Sequence, residues 1–151
     1  MDHEPLFKPG IVDSDLETLE AVCVEQFKEN AVRRWLFNRF KIFLDQLSSV
    51  GTRLIVWVDG SFTTSKSDPG DIDIVVWFNP SEIDLLPEPS QKLLANLVSD
   101  RNVVRLRYGI DVYCAPEGDI QKRMYWRGCY GFVKETEAPK GIPQIVVEAK
   151  K

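Results

Sequence analysis

The sequence predicts an α/β (α+β) protein in which a small mixed β-sheet is flanked by helices. Two helical patterns come first, and two short apolar strand patterns then lie close together in mid-chain. Helix and strand patterns alternate over the rest of the chain. With 151 residues, no repeat and no internal linker, the chain is predicted to form a single domain. We divide it into an extended arm (1–12), a helical segment (13–50), a central core (54–114) and a C-terminal extension (115–151).

The N-terminal part of the chain predicts an arm followed by two helices. Prolines and a glycine before residue 13 indicate an extended backbone. Ser14 to Glu17 has the pattern of a capping box, so a helix is expected to begin there. A second helix is indicated by apolar residues at helical spacing, and Gly51 is expected to cap its end. The apolar face of this second helix consists of Leu36, Phe40, Phe43, Leu44 and Leu47.

The central and C-terminal parts predict a set of short strands. The continuous apolar run 54–58 indicates a strand that is covered on both faces. A polar stretch with turn chemistry at 68–70 separates it from a second strand over 71–78. The remaining predicted elements, in order, are a helix over 91–98, one bent strand or two over 103–107 and 110–114 with Gly109 at the bend, a short helix over 119–126 and a last strand over 145–147.

The composition excludes several classes of site. The single histidine, His3, lies at the start of the chain, which excludes histidine-based triads and multi-histidine metal sites. Three cysteines without C-x-x-C spacing argue against a disulfide framework and favour a reducing cytoplasm. No apolar run approaches the ~18 residues of a membrane helix, and no signal peptide is indicated, so we expect no membrane contact. A net charge of −4 disfavours nucleic acid as a general partner.

Asp71 and Asp73 are the first residues that indicate chemistry. They lie two apart on a predicted strand, so both carboxylates should point to the same face. Two adjacent carboxylates repel each other, and a divalent cation such as Mg²⁺ or Mn²⁺ relieves that repulsion. The alternative is a pair of solvated acids at the start of an edge strand, and a bare D-x-D pattern does not separate the two.

Two further features favour the metal-binding interpretation. Asp111 lies between apolar residues in a later strand pattern, from which it can project beside the first pair of acids. Gly60 and Ser61 directly follow a buried strand, and a tight turn there offers backbone N–H groups and a hydroxyl to a phosphate. Nine residues separate Ser61 from Asp71, which is enough for a short turn and a return to the neighbouring strand.

The segments 59–66 (DGSFTTSK) and 69–73 (PGDID), followed by a strand with a third acid, resemble the nucleotidyltransferase superfamily of the polymerase-beta type. More closely, the chain is similar to a group of stand-alone bacterial and phage minimal nucleotidyltransferase-like proteins. The tail segments 125–127, 131–132 and 140–142 also resemble that group. The resemblance implies that residues 54–114 form the catalytic core, and that two Mg²⁺ (or Mn²⁺) ions and a nucleoside triphosphate bind there.

The resemblance also implies a role for each matching residue. Asp71, Asp73 and Asp111 would hold the two metal ions, and Asp111 would help to deprotonate the attacking hydroxyl. Gly60 and Ser61 would bind the β- and γ-phosphates. Lys66 is a candidate phosphate contact or, equally, a solvated loop lysine.

The reaction implied is transfer of a nucleoside monophosphate from the triphosphate to an acceptor hydroxyl, with release of pyrophosphate. The acceptor is left open between a protein, as in antitoxins that modify a toxin, an RNA 3′ end and a small molecule. The acidic isoelectric point disfavours RNA. Only about forty residues follow Asp111, which suggests that a partner protein or a second copy of the chain completes substrate recognition. The alternative is a non-catalytic module of the same fold that binds a nucleotide or a protein, as an antitoxin or a phage–host interaction factor.

Other polar and aromatic residues are given structural interpretations. The basic residues of the second helix are expected to form a solvated face rather than a rim for RNA or nucleotide; they are Arg33, Arg34, Arg39 and Lys41. Arg105 and Arg107 alternate in the predicted strand over 103–107, so they should share one face beside the acids, where the open alternatives are phosphate binding and charge balance for the aspartates. Trp57 and Trp77 are expected in the core, while Trp126 is left as a base-stacking candidate, and Cys114 and Cys129 are expected to be buried.

Overall fold

The computed structural model describes residues 3–133 and 138–150. Within these residues it contains a five-stranded mixed sheet flanked by six α-helices, which confirms the predicted fold class. The strands are β1 (Gly10–Asp13), β2 (Leu54–Asp59), β3 (Ile72–Phe78), β4 (Ile110–Pro116) and β5 (Gly141–Val147). The helices are α1 (Leu16–Glu20), α2 (Ala31–Ser48), α3 (Pro80–Asp84), α4 (Glu88–Ser99), α5 (Arg101–Tyr108) and α6 (Ile120–Tyr130).

The strands lie in the order β1-β5-β2-β3-β4. β2 pairs antiparallel with both β3 and β5, whereas β1–β5 and β3–β4 are parallel pairs. The helices α3, α4 and α5 form the crossover that a parallel β3–β4 pair requires. The apolar runs of β2 and β3 therefore lie in the interior of the sheet, where both faces are covered.

The two faces of the sheet have different covers. One face packs against α1, α2, α4 and α5 and forms the main core, with α2 contributing Leu36, Phe37, Phe40, Phe43, Leu44 and Leu47. The other face carries Trp57, Val75 and Trp77, against which Trp126 and Tyr130 of α6 pack. Trp57 and Trp77 are core residues, as predicted. Odd-numbered residues of β2, β3 and β4 point to the α6 face, so the acids at the ends of these strands lie on that face.

The cap of α1 differs from the prediction by one residue. Asp15 Oδ1, not the Ser14 hydroxyl, accepts the hydrogen bond from the Thr18 N–H at 2.7 Å. The Ser14 N–H is used instead to extend the sheet, since it donates to the carbonyl oxygen of Gln144 at 2.8 Å. Beyond α1 the chain continues as a π-helical turn over Ala21–Glu25. The end of α2 is as predicted, with Gly51 at a φ of +96° shortly after the last turn.

The predicted strand over 103–107 is wrong, because these residues lie in α5. Asp100 Oδ1 caps this helix by accepting from the Val103 N–H at 3.2 Å, and Gly109 ends it at a φ of +66°. The alternation of apolar and basic residues resembled a two-residue period. Val104 alone is buried, however, whereas Leu106 is 85% exposed, so the segment is a short surface helix with one anchoring residue. Only the part of this pattern from Ile110 onward is a strand.

The predicted arm is more structured than its composition indicated. Gly10 to Asp13 pairs with the first half of β5, so the end of the arm is a strand at the sheet edge. A glycine is required at 141, because a Cβ there would lie 2.0 Å from the Lys8 carbonyl oxygen. β5 therefore begins four residues before the predicted strand over 145–147. Residues 1 and 2 of the predicted arm lie outside the described residues.

The remaining elements differ from the predictions mainly at their ends. α4 and α6 extend past the predicted helices, and Asp119 caps α6 through the Lys122 N–H at 3.0 Å, as expected. All three cysteines are free thiols, and Cys23 is buried. Cys114 and Cys129, expected to be buried, are exposed and half-buried, because β4 is an edge strand and α6 lies on the surface.

Candidate functional site

The register of the sheet brings the ends of three strands together at one place. Asp73 on β3 lies opposite Asp59 on β2 and opposite Asp111 on β4. Directly opposed residues point to the same face of a sheet, so the three carboxylates are neighbours. Asp71 precedes β3 by one residue and reaches the same cluster.

Asp71, Asp73 and Asp111 form the part of the cluster that suits a metal ion. One carboxylate oxygen from each residue lies within 4.8 Å of the others. Asp111 is buried, whereas Asp71 and Asp73 are half-buried and open to a ligand. The three acids that the sequence singled out are thus brought together on one face. Oxygen donors of this kind are the ligands that Mg²⁺ and Mn²⁺ prefer.

The electrostatics of the cluster oppose full ionisation. Burial raises the pKa of Asp73 to about 7, and the neighbouring charges of Asp71 and Asp111 and a hydrogen bond with Asp111 act in the same direction. Burial also raises the pKa of Asp71, although Arg105 counteracts part of that effect. Carboxylates that repel one another in this way are the arrangement that a divalent cation stabilises.

Asp59 is a site residue that the sequence analysis missed. It is fully buried, and neither of its carboxylate oxygens has a hydrogen-bond partner within the residues that the structure describes. Burial raises its pKa well above the ordinary value; Lys140 opposes this shift and Asp73 adds to it. The alternation of β2 contained the signal, because Ile55, Trp57 and Asp59 share a face.

The Gly60–Ser61 turn lies against the carboxylate cluster. Gly60 to Thr63 forms a 3₁₀ turn directly after β2, and Gly60 has a φ of +78°. A Cβ at Gly60 would lie 1.8 Å from Asp73 Oδ2, so glycine is what allows the backbone to approach this carboxylate. The Lys140 ammonium donates to the Gly60 carbonyl oxygen at 2.9 Å. The sequence analysis did not identify Lys140 as a site residue.

Arg33 attaches this turn to helix α2. Its guanidinium is completely buried and donates from Nη1 and Nη2 to a set of carbonyl oxygens within 2.6–3.5 Å, those of Cys23, Ser61, Phe62, Thr64 and Lys66. The expectation that Arg33 belongs to a solvated face is therefore wrong. Lys66, three residues beyond the turn, is half-buried, and its charge opposes part of the rise in the pKa of Asp71.

Helix α5 directs two arginines at the same carboxylates. Arg101 donates to Asp111 Oδ1 from Nη2 at 2.5 Å and from Nε at 3.2 Å. Arg105 Nη2 lies 3.0 Å from Asp111 Oδ2 and 3.8 Å from Asp71 Oδ2. The expectation that Arg105 and Arg107 share a strand face is wrong, because the segment is helical. Arg101, which occupies that place beside the acids, was missed.

Aromatic residues border the cluster on the α6 side. Arg101 Nη2 also donates to the Tyr113 hydroxyl at 2.6 Å, and the Tyr113 ring lies 4.5 Å from Trp126 between centroids. Trp126 stacks on Tyr130 at 5.6 Å and 12°. The base-stacking candidate Trp126 is thus already packed between tyrosines, so its observed role is to join α6 to the sheet. A cleft of about 700 Å³ lies elsewhere, between α2 and β5, and none of the four clustered aspartates lines it.

The raised pKa of Asp73 predicts how the stability of the metal-free protein depends on pH. Between its ordinary value of 3.8 and about 7, the folded state binds a proton that the unfolded chain releases. Stability should therefore fall as pH rises through this range. In EDTA we expect Tm at pH 8 to lie at least roughly 5 °C below Tm at pH 5.5. Asp73→Asn should reduce this difference, whereas Asp84→Asn, at an exposed position, should not. An equal or higher Tm at pH 8 would contradict the prediction.

The fold and the site together define an α+β protein with a carboxylate cluster at one end of a mixed sheet, beside a glycine turn. The chain matches a family of unknown function, DUF6932, over residues 1–146, and it belongs to that family. No curated protein and no solved structure matches the chain. Among the helices of residues 3–133 and 138–150, none is long and apolar enough to cross a membrane.

Proposed function

We propose that the protein is a metal-dependent nucleotidyltransferase. It would transfer a nucleoside monophosphate from a nucleoside triphosphate to an acceptor hydroxyl, with release of pyrophosphate. The observation that carries the proposal is the convergence of Asp71, Asp73 and Asp111, with one oxygen of each within 4.8 Å of the others, against the Gly60–Ser61 turn. The resemblance of both motifs to the nucleotidyltransferase superfamily supports it.

The residues present fit a divalent metal. Asp59 adds a second observation to the three clustered acids, because its buried carboxylate has no hydrogen-bond partner among the described residues and lies in register with Asp73. A buried acid without a hydrogen-bond partner is costly, and a cation at the cluster reduces that cost. Mg²⁺ or Mn²⁺, when bound, would neutralise charge on the phosphates and on the leaving group.

The chain's own residues have separate tasks in this reaction. Asp71, Asp73 and Asp111 would hold the cations, and Asp111 would also accept the proton of the acceptor hydroxyl at a carboxylate oxygen. The backbone N–H groups and the hydroxyl of the Gly60–Ser61 turn hold the phosphates, since a turn of this kind presents several donors to an anion. Lys66 supplies a point charge beside Asp71.

Nucleotide binding is the first property to measure. Calorimetric titration with ATP, GTP, CTP and UTP, each with and without Mg²⁺, should show Mg²⁺-dependent binding of at least one of them. Asp73→Asn should weaken that binding at least about tenfold and reduce pyrophosphate release about 10²–10³-fold. Asp84→Asn removes the same charge at an exposed site and should change neither value. Full activity in Asp73→Asn would exclude the proposed mechanism.

The second candidate function is a non-catalytic module that binds a nucleotide or a partner protein. The contacts of Asp111 favour it, because both of its carboxylate oxygens are engaged by arginines and so are not free to accept a proton. Nucleotide binding without pyrophosphate release, for any acceptor offered, would support this module. Toxin-like proteins and a second copy of this chain are the partners proposed for either function, and the cytoplasm is the proposed compartment.

A further inference from the structure

The two arginines of α5 form ion pairs with Asp111, the residue that accepts a proton in the proposed reaction. Arg101 and Arg105 are four residues apart on one helix, so their side chains leave the same face. Together they engage both oxygens of Asp111, and Arg105 also faces Asp71. A cation that binds these carboxylates must therefore displace guanidinium groups. It would otherwise lie beside two like charges.

The exposure of these side chains shows which partner is able to move. The Asp111 side chain is only 12% exposed, whereas those of Arg101 and Arg105 are 46% and 52% exposed. Asp111 is held in the sheet and the arginines reach it from a surface helix. Guanidinium groups also bind phosphate in the same bidentate manner as carboxylate, so a triphosphate in the site offers them equivalent acceptors.

We propose that Arg101 and Arg105 exchange partners when the site is loaded. In the ligand-free protein they hold Asp111 and Asp71, and in the loaded protein they hold phosphate oxygens of the nucleoside triphosphate. This inference rests on the proposed function and adds a mode of regulation to it. A metal ion alone is opposed by the arginines, and a triphosphate alone is opposed by the carboxylates. Metal and triphosphate therefore bind together far more tightly than either binds separately.

The test compares metal and nucleotide binding in Arg101→Gln/Arg105→Gln with the unmodified protein. Mn²⁺ alone is titrated by electron paramagnetic resonance, and the four nucleoside triphosphates are titrated calorimetrically with and without Mg²⁺. The double variant should bind Mn²⁺ alone at least about tenfold more tightly, because the competing guanidinium groups are gone. It should bind triphosphate in Mg²⁺ at least about tenfold more weakly, because the phosphate contacts are gone. The affinity for each ligand should also depend less on the presence of the other ligand.

A matched control separates this local effect from a change in total charge. Arg107→Gln/Lys92→Gln also removes two positive charges from α4 and α5, but Lys92 is paired with Glu88 and Arg107 lies roughly 200° round the helix from Arg105. This control should leave both affinities unchanged. Equal shifts in the control, or an unchanged Mn²⁺ affinity in Arg101→Gln/Arg105→Gln, would overturn the inference while leaving the proposed function intact. Failure of the unmodified protein to bind any triphosphate in Mg²⁺ would overturn both.

Discussion

Gly60→Ala is expected to abolish metal and nucleotide binding and to destabilise the fold. The new Cβ would lie 1.8 Å from Asp73 Oδ2, so either the carboxylate or the turn must move away. The residue would also be held at a φ of +78°, where a side chain costs about 1–2 kcal/mol. We expect no measurable Mn²⁺ or nucleotide binding by calorimetry, and a fall in Tm of roughly 5 °C or more.

Two further variants isolate the cause of this loss. Gly118 has a similar φ of +83°, but apart from its chain neighbours no atom of the described residues lies within 4 Å of the place that an added methyl group would take. Gly118→Ala therefore introduces the backbone strain without the clash. It should lower Tm slightly and leave binding intact. Asp73→Ala in the Gly60→Ala background removes the clashing carboxylate, and it should recover stability that Gly60→Ala loses. Equal effects of Gly60→Ala and Gly118→Ala would show that backbone strain, and not contact with Asp73, accounts for the result.

Arg33→Leu is expected to cost about 4 kcal/mol of unfolding free energy, the largest loss of any single side chain considered. Carbonyl oxygens of the π-helical turn and of residues 61–66 would lose their shared buried donor, and leucine has no group that can replace it. Chemical denaturation measures the loss. Arg34→Leu, at the next position, removes a partly exposed arginine that contacts Glu20 and should cost less than about 1 kcal/mol.

Arg33→Lys keeps the prediction testable where Arg33→Leu does not fold. One ammonium has three donors and lacks the planar fork, so it cannot serve all five carbonyl oxygens. The expected result is a folded protein in which the amides of residues 61–66 exchange hydrogen faster while those of β2 remain protected. If Arg33→Lys changed the amide exchange rates of β2 and of residues 61–66 equally, the conclusion that Arg33 stabilises this turn would be contradicted.

The interior strands and the shared face of Asp71 and Asp73 followed from local patterns. The continuous apolar runs of β2 and β3 are sufficient to indicate buried strands, and a two-residue period places Asp71 and Asp73 on one face. Asp111 could be expected beside them because apolar residues flank it. The strands and the Asp71–Asp73 pair depend on residues that are close in sequence, whereas the position of Asp111 beside them depends on the pairing of β3 with β4.

The residues that were missed depend on partners distant in sequence. Asp59 lies just beyond the predicted strand over 54–58, and its register with Asp73 shows that it continues β2 and belongs to the carboxylate cluster. Arg33 lies three and four residues before Leu36 and Phe37, so helical spacing already placed it on the apolar face of α2. Its charge indicated a solvated position instead, because most of the carbonyl oxygens that accept from it belong to a turn some thirty residues later and could not be foreseen. Arg101 was missed because α5 was taken for a strand.

The strand order has a consequence for how the chain folds. β5, which follows β1 by some 130 residues along the chain, lies between β1 and β2, and within the described sheet β1 pairs with β5 alone. During synthesis β1 must therefore wait unpaired until residues 141–144 have emerged from the ribosome. The same delay applies to Lys140, which directly precedes β5 and reaches the Gly60 turn. The four acids are therefore all synthesised before Lys140, the cation that opposes the raised pKa of Asp59.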